Sequence, residues 1–307
     1  MHISVLLEEA IKALNIKEDG FYIDATLGYA GHSCSILKKI NKGYLISFDQ
    51  DSQAIKASSQ KLSSIANNFT IIHSNFRYIK EEVEKLGINK VDGILFDLGT
   101  SSMQLDTIDR GFNYHEEAFL DMRMDQDASL SAFDVVNTYE EKDLANILRK
   151  YADEKYTSSI ARNIVKQREK DFIKTTTELA EIVKASVPYK YRENKHPARK
   201  TFQAIRIEVN DEYNALEEGL TKALELLKVG GRIVVISFHS GEDRIVKNIF
   251  KKYTEAPEIV KGLPNIDSSY LPDYKLITKK IITPDAEEVE ENKRSRSAKM
   301  RVIERVK

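Results

Sequence analysis

FYIDATLGYAGHS, residues 21–33, decides the fold. Its first five residues, FYIDA, are a short apolar run with an acid, Asp24, near its end, and read as a buried strand. The chain then turns through Gly28 and Gly31 into residues with helical spacing. Glycine in such a turn admits positive φ and lets a ligand approach the backbone. The helix behind it offers unpaired N–H groups at its first turn. A strand, a glycine turn and a helix in this order form the opening unit of a nucleotide-type binding sheet.

Working outward, YLISFD (44–49), FTIIH (69–73) and VDGILFDL (91–98) repeat the strand pattern, each followed by residues with helical spacing. Alternating strands and helices predict an α/β fold, a doubly wound Rossmann-like parallel sheet covered on both faces. From 105 to 205 no strand is expected. Helical spacing dominates in DLANILRKYA (143–152), SSIARNIVKQ (158–167) and TTTELAEIVKASV (175–187), the last opened by a Thr175–Glu178 capping box and closed by Pro188. We therefore expect residues 1–104 and 206–307 to form the sheet domain and 105–205 an inserted, mainly helical domain. One long helix is expected from Phe202 to Lys228, ending at Gly230-Gly231. RIVVISF (232–238), KLITKKIIT (275–283) and MRVIERV (300–306) follow as strands, with a mobile acidic stretch between the last two.

Composition narrows the function classes. The chain has 307 residues, 41% of them hydrophobic and 31% charged, the balance of an ordinary globular protein. No apolar run reaches the ~20 residues of a membrane span, and the N-terminus lacks a basic region before its apolar residues, so no signal peptide is expected. The single cysteine, Cys34, excludes an internal disulfide framework and argues against a thiolate metal cluster. No metal is expected, and the cytoplasm is the expected compartment. A net charge of −1 excludes a uniformly basic nucleic-acid coat. Two local basic stretches remain: Lys190, Arg192, Lys195, His196, Arg199 and Lys200, then Lys293, Arg294, Arg296, Lys299 and Arg301. The sequence does not choose between monomer and homodimer.

The strand ends carry the cofactor reading. The turn lacks the GxGxxG spacing that suits a pyrophosphate. It has Asp24 instead, a carboxylate that repels pyrophosphate and attracts an ammonium group. Asp49, ending the second strand, suits a ribose diol, which both NAD and S-adenosylmethionine contain. Phe76 can lie against an adenine, and Asp97 ends the fourth strand. Jointly these favour S-adenosylmethionine over NAD. The alternatives are an NAD-dependent oxidoreductase and an RNA-assembly protein with an inactive methyltransferase fold.

Eight stretches resemble one family, the 16S rRNA cytosine N4-methyltransferases of the MraW type. They are HISVLLEEA (2–10), YIDATLGYAGHS (22–33), FDLGTSSMQLD (96–106), RGFNY (110–114), LDMRMD (120–125), KHPARKTFQAIRIEVN (195–210), ISFHSGEDRIVK (236–247) and KRSRSAKMR (293–301). The resemblance implies a class I methyltransferase sheet with an inserted helical domain. It implies methylation of one cytidine in the decoding region of 16S rRNA, within the small ribosomal subunit or a late assembly particle. It also implies cofactor contacts at Ala30, Gly31, His32, Asp49, Phe76, Asp97 and Gln104. Three positions depart from the family pattern: Ala30 stands where glycine is frequent, Gly241 where leucine is common, and HEEAFLDMRMD lacks the usual proline before its leucine.

For that reaction Asp97 and His239 are the candidate catalytic residues. Asp97 orients the amine or serves the cofactor only; His239 approaches the base or is a satisfied structural histidine. Ser101 and Ser102 are candidates for the target nucleotide, with ordinary turn chemistry as the alternative. His196, Arg199, Lys200 and Arg206 are candidates for RNA contact, Arg206 having a buried ion pair as its alternative. LDMRMD reads as core packing or as a cover over the site.

Overall fold

The computed structural model describes residues 4–192, 196–260, 267 and 270–307. The chain divides into two compact units, residues 1–99 with 213–307, and residues 100–212.

The first unit is a sheet of seven strands among the described residues, ordered β3-β2-β1-β4-β5-β7-β6. β1 is Phe21–Asp24, β2 Tyr44–Asp49, β3 Phe69–His73, β4 Val91–Asp97, β5 Leu227–Ser237, β6 Tyr274–Leu276 and β7 Lys299–Arg305. The first five run parallel, and β7 pairs antiparallel with both β5 and β6. Strand order reverses at β1 and β4, where the chain winds outward first one way and then the other. Ligands of open α/β sheets bind at such a switch point, beyond the carboxyl ends of the strands. Asp24, Asp49 and Asp97 are the last residues of β1, β2 and β4. The strands are near-continuous apolar runs because helices cover both faces. One core side holds Ile23, Phe48, Phe96 and Val235, the other Leu45, Leu95, Val234 and Val302.

The second unit is helical. Its core joins Leu144, Leu148, Ile160, Ile164, Leu179 and Val183 from three successive helices to Phe202 and Ile205. The capping box at Thr175 forms as the sequence predicts: Glu178 N–H donates to the Thr175 hydroxyl at 3.2 Å and Thr175 N–H to the Glu178 carboxylate at 2.9 Å. Met122 and Met124 are buried in this core, so LDMRMD is packing and not a cover.

Three expectations need correction. The long helix from Phe202 to Lys228 is two helices, Ala198–Asn210 and Glu212–Leu226. They are parted by Asp211 in the left-handed region, φ 48°, which a short polar side chain tolerates better than most. Asn210 fixes the break by donating to the carbonyls of Met122 (2.8 Å) and Arg206 (2.9 Å) and accepting from Met124 N–H (2.7 Å). KLITKKIIT contributes only the end of β6 and a single bridge from Ile282 to Met300. The acidic stretch is ordered: Ala286–Glu291 is a helix capped by Asp285, and Glu288 accepts Leu6 N–H at 2.8 Å.

Candidate active site

The turn after β1 is built by its own polar groups. Asp24 is 1% exposed, and both its oxygens are engaged, Oδ1 by Thr26 N–H at 3.1 Å and Oδ2 by the Ser33 hydroxyl at 2.6 Å. It shapes the turn from inside, which corrects the expectation that it faces an ammonium group. Thr26 then ties β1 to β4, its hydroxyl accepting Asp97 N–H at 2.7 Å. Gly28 and Ala30 adopt positive φ, 48° and 62°. Ala30 thus holds a conformation that costs an L-residue about 1–2 kcal/mol. Gly31 is needed for a close approach, since a Cβ there would overlap the Ser4 side chain.

Asp49 closes the turn from β2. Its Oδ2 accepts Gly28 N–H at 2.8 Å and its Oδ1 accepts Asp51 N–H at 2.9 Å. Burial, only partly offset by these amides, pushes its carboxyl up to about 6. Phe76 opens a short turn after β3, with its ring edge-on to Phe96 at 5.5 Å. It is half-buried and abuts Gly219, whose missing side chain makes room for the Phe76 ring and carbonyl.

Asp97 differs from its neighbours. Its side chain is 24% exposed, yet Oδ1 is buried with no hydrogen-bond partner among the described residues, while Oδ2 lies 3.5 Å from His32 Nδ1. Burial, then the charges of Asp24 and Glu242, hold its carboxyl well above the ordinary range. His32, in the first turn of the helix Gly31–Leu37, places Nε2 3.2 Å from the Val5 carbonyl.

His239 follows β5, its Nε2 3.0 Å from Glu242 Oε1 and without a hydrogen-bond partner among the described residues. It caps the helix Ser240–Thr254, Nδ1 accepting Glu242 N–H at 3.4 Å, while Glu242 accepts the N–H groups of Phe238 (2.8 Å) and His239 (3.2 Å). The Tyr213 hydroxyl lies 3.4 Å from the same Nδ1 and fills the space where a Gly241 side chain would stand. Tyr213 escaped the sequence reading. Its only signal was the departure at Gly241, which it explains. Thr26, Ser33 and Gly219 were also missed, because a hydroxyl or a gap has no periodic signature.

The remaining candidates belong to the helical unit. Ser101 caps the helix Ser102–Asp106, its hydroxyl accepting Gln104 N–H at 3.2 Å and its N–H donating to the Gln104 carboxamide at 3.1 Å. The His196 ring stacks on Tyr114 at 4.5 Å, and its pKa is pulled down by burial, then by His115 and Lys184. Arg199 is exposed; Lys200 Nζ donates to the Asp153 carbonyl at 2.6 Å. Arg206 is half-buried and forms an ion pair, its fork donating to both Glu212 oxygens at 2.7 and 2.8 Å. Lys195 lies outside the described residues. In the C-terminal cluster Lys299 and Arg301 pair with Asp243, while Lys293, Arg294 and Arg296 are exposed.

The first unit thus gathers carboxylates with raised proton affinity and one unsatisfied oxygen at a glycine-opened turn. A cationic ligand relieves that crowding, whereas the pyrophosphate of a dinucleotide worsens it. A model of the MraW methylase family matches residues 1–306. The chain belongs to the MraW methylase family. The methyl donor that such a methylase uses is S-adenosylmethionine. Among solved structures, the chain is similar to a protein from Clostridium thermocellum assigned as an rRNA methylase, at 13% identity and a TM-score of 0.46 over 99% of this chain and 100% of that one. It is similar to an rRNA methylase from Streptococcus thermophilus at 12% identity and 0.44, over 100% and 99%. A protein from Streptococcus mutans assigned as a methyltransferase, in complex with SAH, gives 14% and 0.44, over 99% of each chain. Likenesses of this degree say nothing about substrate. Among the described residues no helix is long and apolar enough to cross a membrane.

Proposed function

We propose that this MraW-family methylase methylates the exocyclic N4 of a cytidine in the decoding region of 16S rRNA. It would act in the cytoplasm, on the small ribosomal subunit or a late assembly particle. The observation that carries the reading is the Asp97 Oδ1 atom, an unpartnered acceptor at the end of β4 among carboxylates that favour a cation. The family membership and the eight matching stretches support the substrate assignment.

The bound cofactor supplies an electrophilic methyl group on a sulfonium. The chain's own residues do the rest. Ala30, Gly31, His32, Asp49 and Phe76, with Gln104 of the helical unit, are the proposed cofactor contacts, and Asp97 joins them. The cytosine amine is a weak nucleophile because its lone pair is delocalised into the ring. An acceptor on its N–H draws that pair out of conjugation, and Oδ1 of Asp97 is this acceptor. The work is positioning and preorganised electrostatics, without a covalent enzyme intermediate. His239, two residues beyond β5, is the second proposed catalytic residue, and its Nδ1 also caps the helix that follows. Ser101, Ser102, His196, Arg199 and Lys200 are the proposed RNA contacts, and a base in structured RNA is unstacked to reach the site at a cost of a few kcal/mol.

Transfer of label from S-adenosylmethionine to small subunits lacking the modification, with the product nucleoside identified, tests this. N4-methylated cytidine is expected, lost in Asp97→Ala, with a separate binding assay dividing the loss between catalysis and cofactor affinity. Label on another nucleoside overturns the substrate; no cofactor binding overturns the whole reading.

A further inference from the structure

Resting on that reading for the RNA substrate, we propose that the exposed face of the helix Ser240–Thr254 is a phosphate track that holds the rRNA backbone as it leaves the strand ends. Its cations are Arg244, Lys247, Lys251 and Lys252. All four belong to the sheet unit, whereas the RNA contacts named above belong to the helical one.

The spacing of the helix divides it into two faces. Val246, Ile249, Phe250 and Tyr253 pack on the sheet core. Arg244, Lys247, Lys251 and Lys252 are exposed at i, i+3, i+7 and i+8, which is one stripe of an α-helix. Neighbours on such a stripe stand about 5–6 Å apart between Cβ atoms, the order of the distance between successive phosphates along an RNA strand. Asn248 is exposed beside them and adds an amide donor. The acids of the helix do not neutralise the stripe. Glu242 is buried, and Asp243 is taken by Lys299 and Arg301, at 3.4 and 2.8 Å. Asp243 meets two cations there, so that cluster adds a further positive charge next to Arg244 in the chain. Glu255, just past the helix, lies 3.7 Å from Lys251, an exposed pair of little strength.

Cations in a last turn complement the helix dipole, which accounts for Lys251 and Lys252 without a ligand. It does not account for Lys247, which is mid-helix and has no hydrogen-bond or ion-pair partner among the described residues. Lys247 also stands four residues from Lys251 and three from Arg244, and like charges at that spacing repel. The helix Glu212–Leu226, which packs on the same core, is arranged otherwise. Its Lys222 pairs with Glu81 at 2.5 Å, its Glu225 with Lys80 at 2.6 Å and its Glu218 with Arg77 at 3.8 Å. A chain of net charge −1 that matches its charges on one helix and leaves cations in a row on the next presents a surface for a polyanion. The placement suits the site. The helix opens three residues beyond β5, at the ligand edge of the sheet. It then runs away from that edge: Asp243 meets Lys299 and Arg301 near the start of β7, while Tyr253 meets Tyr274, which pairs with Arg305 at the end of β7. The stripe leads from the strand ends outward along the sheet unit.

Binding of the full-length protein to small ribosomal subunits lacking the modification, over a series of salt concentrations, tests the track. The variant combines Lys247→Ala with Lys251→Ala, and alanine keeps the helix because it is the best helix former. The slope of log affinity against log salt is expected to become shallower by about 1.4, two phosphate contacts at about 0.7 each. The KM for subunits is expected to rise about 10-fold near physiological salt, with kcat and the affinity for S-adenosylmethionine unchanged. Lys39→Ala with Lys42→Ala removes the same charge from an exposed pair before β2, away from the ligand edge, and is expected to keep the wild-type slope and KM. A wild-type slope in the Lys247 and Lys251 variant, equal losses in the two pairs, or no salt-dependent binding of the wild type overturns the track. Unchanged slopes with a variant-sensitive affinity for phosphatidylserine vesicles would assign the stripe to a membrane instead. A product other than N4-methylcytidine, or no methylation at all, would sink the substrate reading, and the salt slope would still decide the track.

Discussion

At the scale of the residue, Asp49 gives the clearest pH dependence. Its carboxyl titrates near 6 in the folded chain and near the ordinary 3.8 when unfolded. Between these values the folded state holds a proton that the unfolded state has released, so acidification from pH 7 to pH 5 stabilises the cofactor-free protein through this group. The limit is about 3 kcal/mol. Denaturant unfolding at the two pH values, compared with Asp49→Asn, is expected to show this gain only in the wild type. Cofactor affinity runs the other way, because a neutral acid neither attracts a cation nor accepts as strongly. Calorimetric titration is expected to show weaker binding of S-adenosylmethionine below about pH 6; a flat dependence from 5 to 7.5 would remove Asp49 from the site. Gly241 and Tyr213 form a second residue-scale test. Gly241→Leu places carbon where the Tyr213 hydroxyl sits and is expected to cost about 1–3 kcal/mol. Adding Tyr213→Leu is expected to recover most of the loss, a coupling of at least about 1 kcal/mol in a double-mutant cycle. Strictly additive losses would show that the two do not share one space.

At the scale of the element, the helix Glu212–Leu226 carries a glycine at its centre. Alanine there would improve intrinsic helix propensity by about 1 kcal/mol. The added Cβ would stand 2.8 Å from the Phe76 ring and 2.9 Å from its carbonyl oxygen, closer than real contacts allow. Gly219→Ala is therefore expected to lose stability and to weaken cofactor binding by displacing Phe76; a net gain in melting temperature would show that propensity outweighs the contact. The same helix marks what periodicity misses. Its apolar spacing continues through Asp211 without a break in pattern, yet the chain turns there because Asn210 reaches Met122 and Met124, far away in sequence. The Thr175 cap, by contrast, was legible because both partners lie within one turn of the chain.

At the scale of the whole molecule, the two units have separate apolar cores, one in the helical unit and two on the faces of the sheet. A ligand that binds the strand ends stabilises chiefly the unit that contains them. Hydrogen exchange with and without S-adenosylmethionine is expected to slow amides of residues 24–33 and 47–51 more than those of Glu141–Ala152. Equal protection of both would show that binding is not confined to the sheet unit. The α/β sheet with its first five strands parallel, the helical insertion, the acids that end β1, β2 and β4, and the family were legible in the sequence. All of these are local runs or contiguous motifs, fixed by side-chain spacing along the chain. Only the tertiary structure decided which carboxylate oxygen is left unpaired. Asp24, Asp49 and Asp97 have similar sequence settings, but Thr26, Ser33, Gly28 and Asp51 saturate the first two and leave Oδ1 of the third open. The Arg206–Glu212 ion pair likewise forms across the turn at Asp211. Hydrogen-bond saturation depends on where separate segments meet, and no pattern read along one chain contains that.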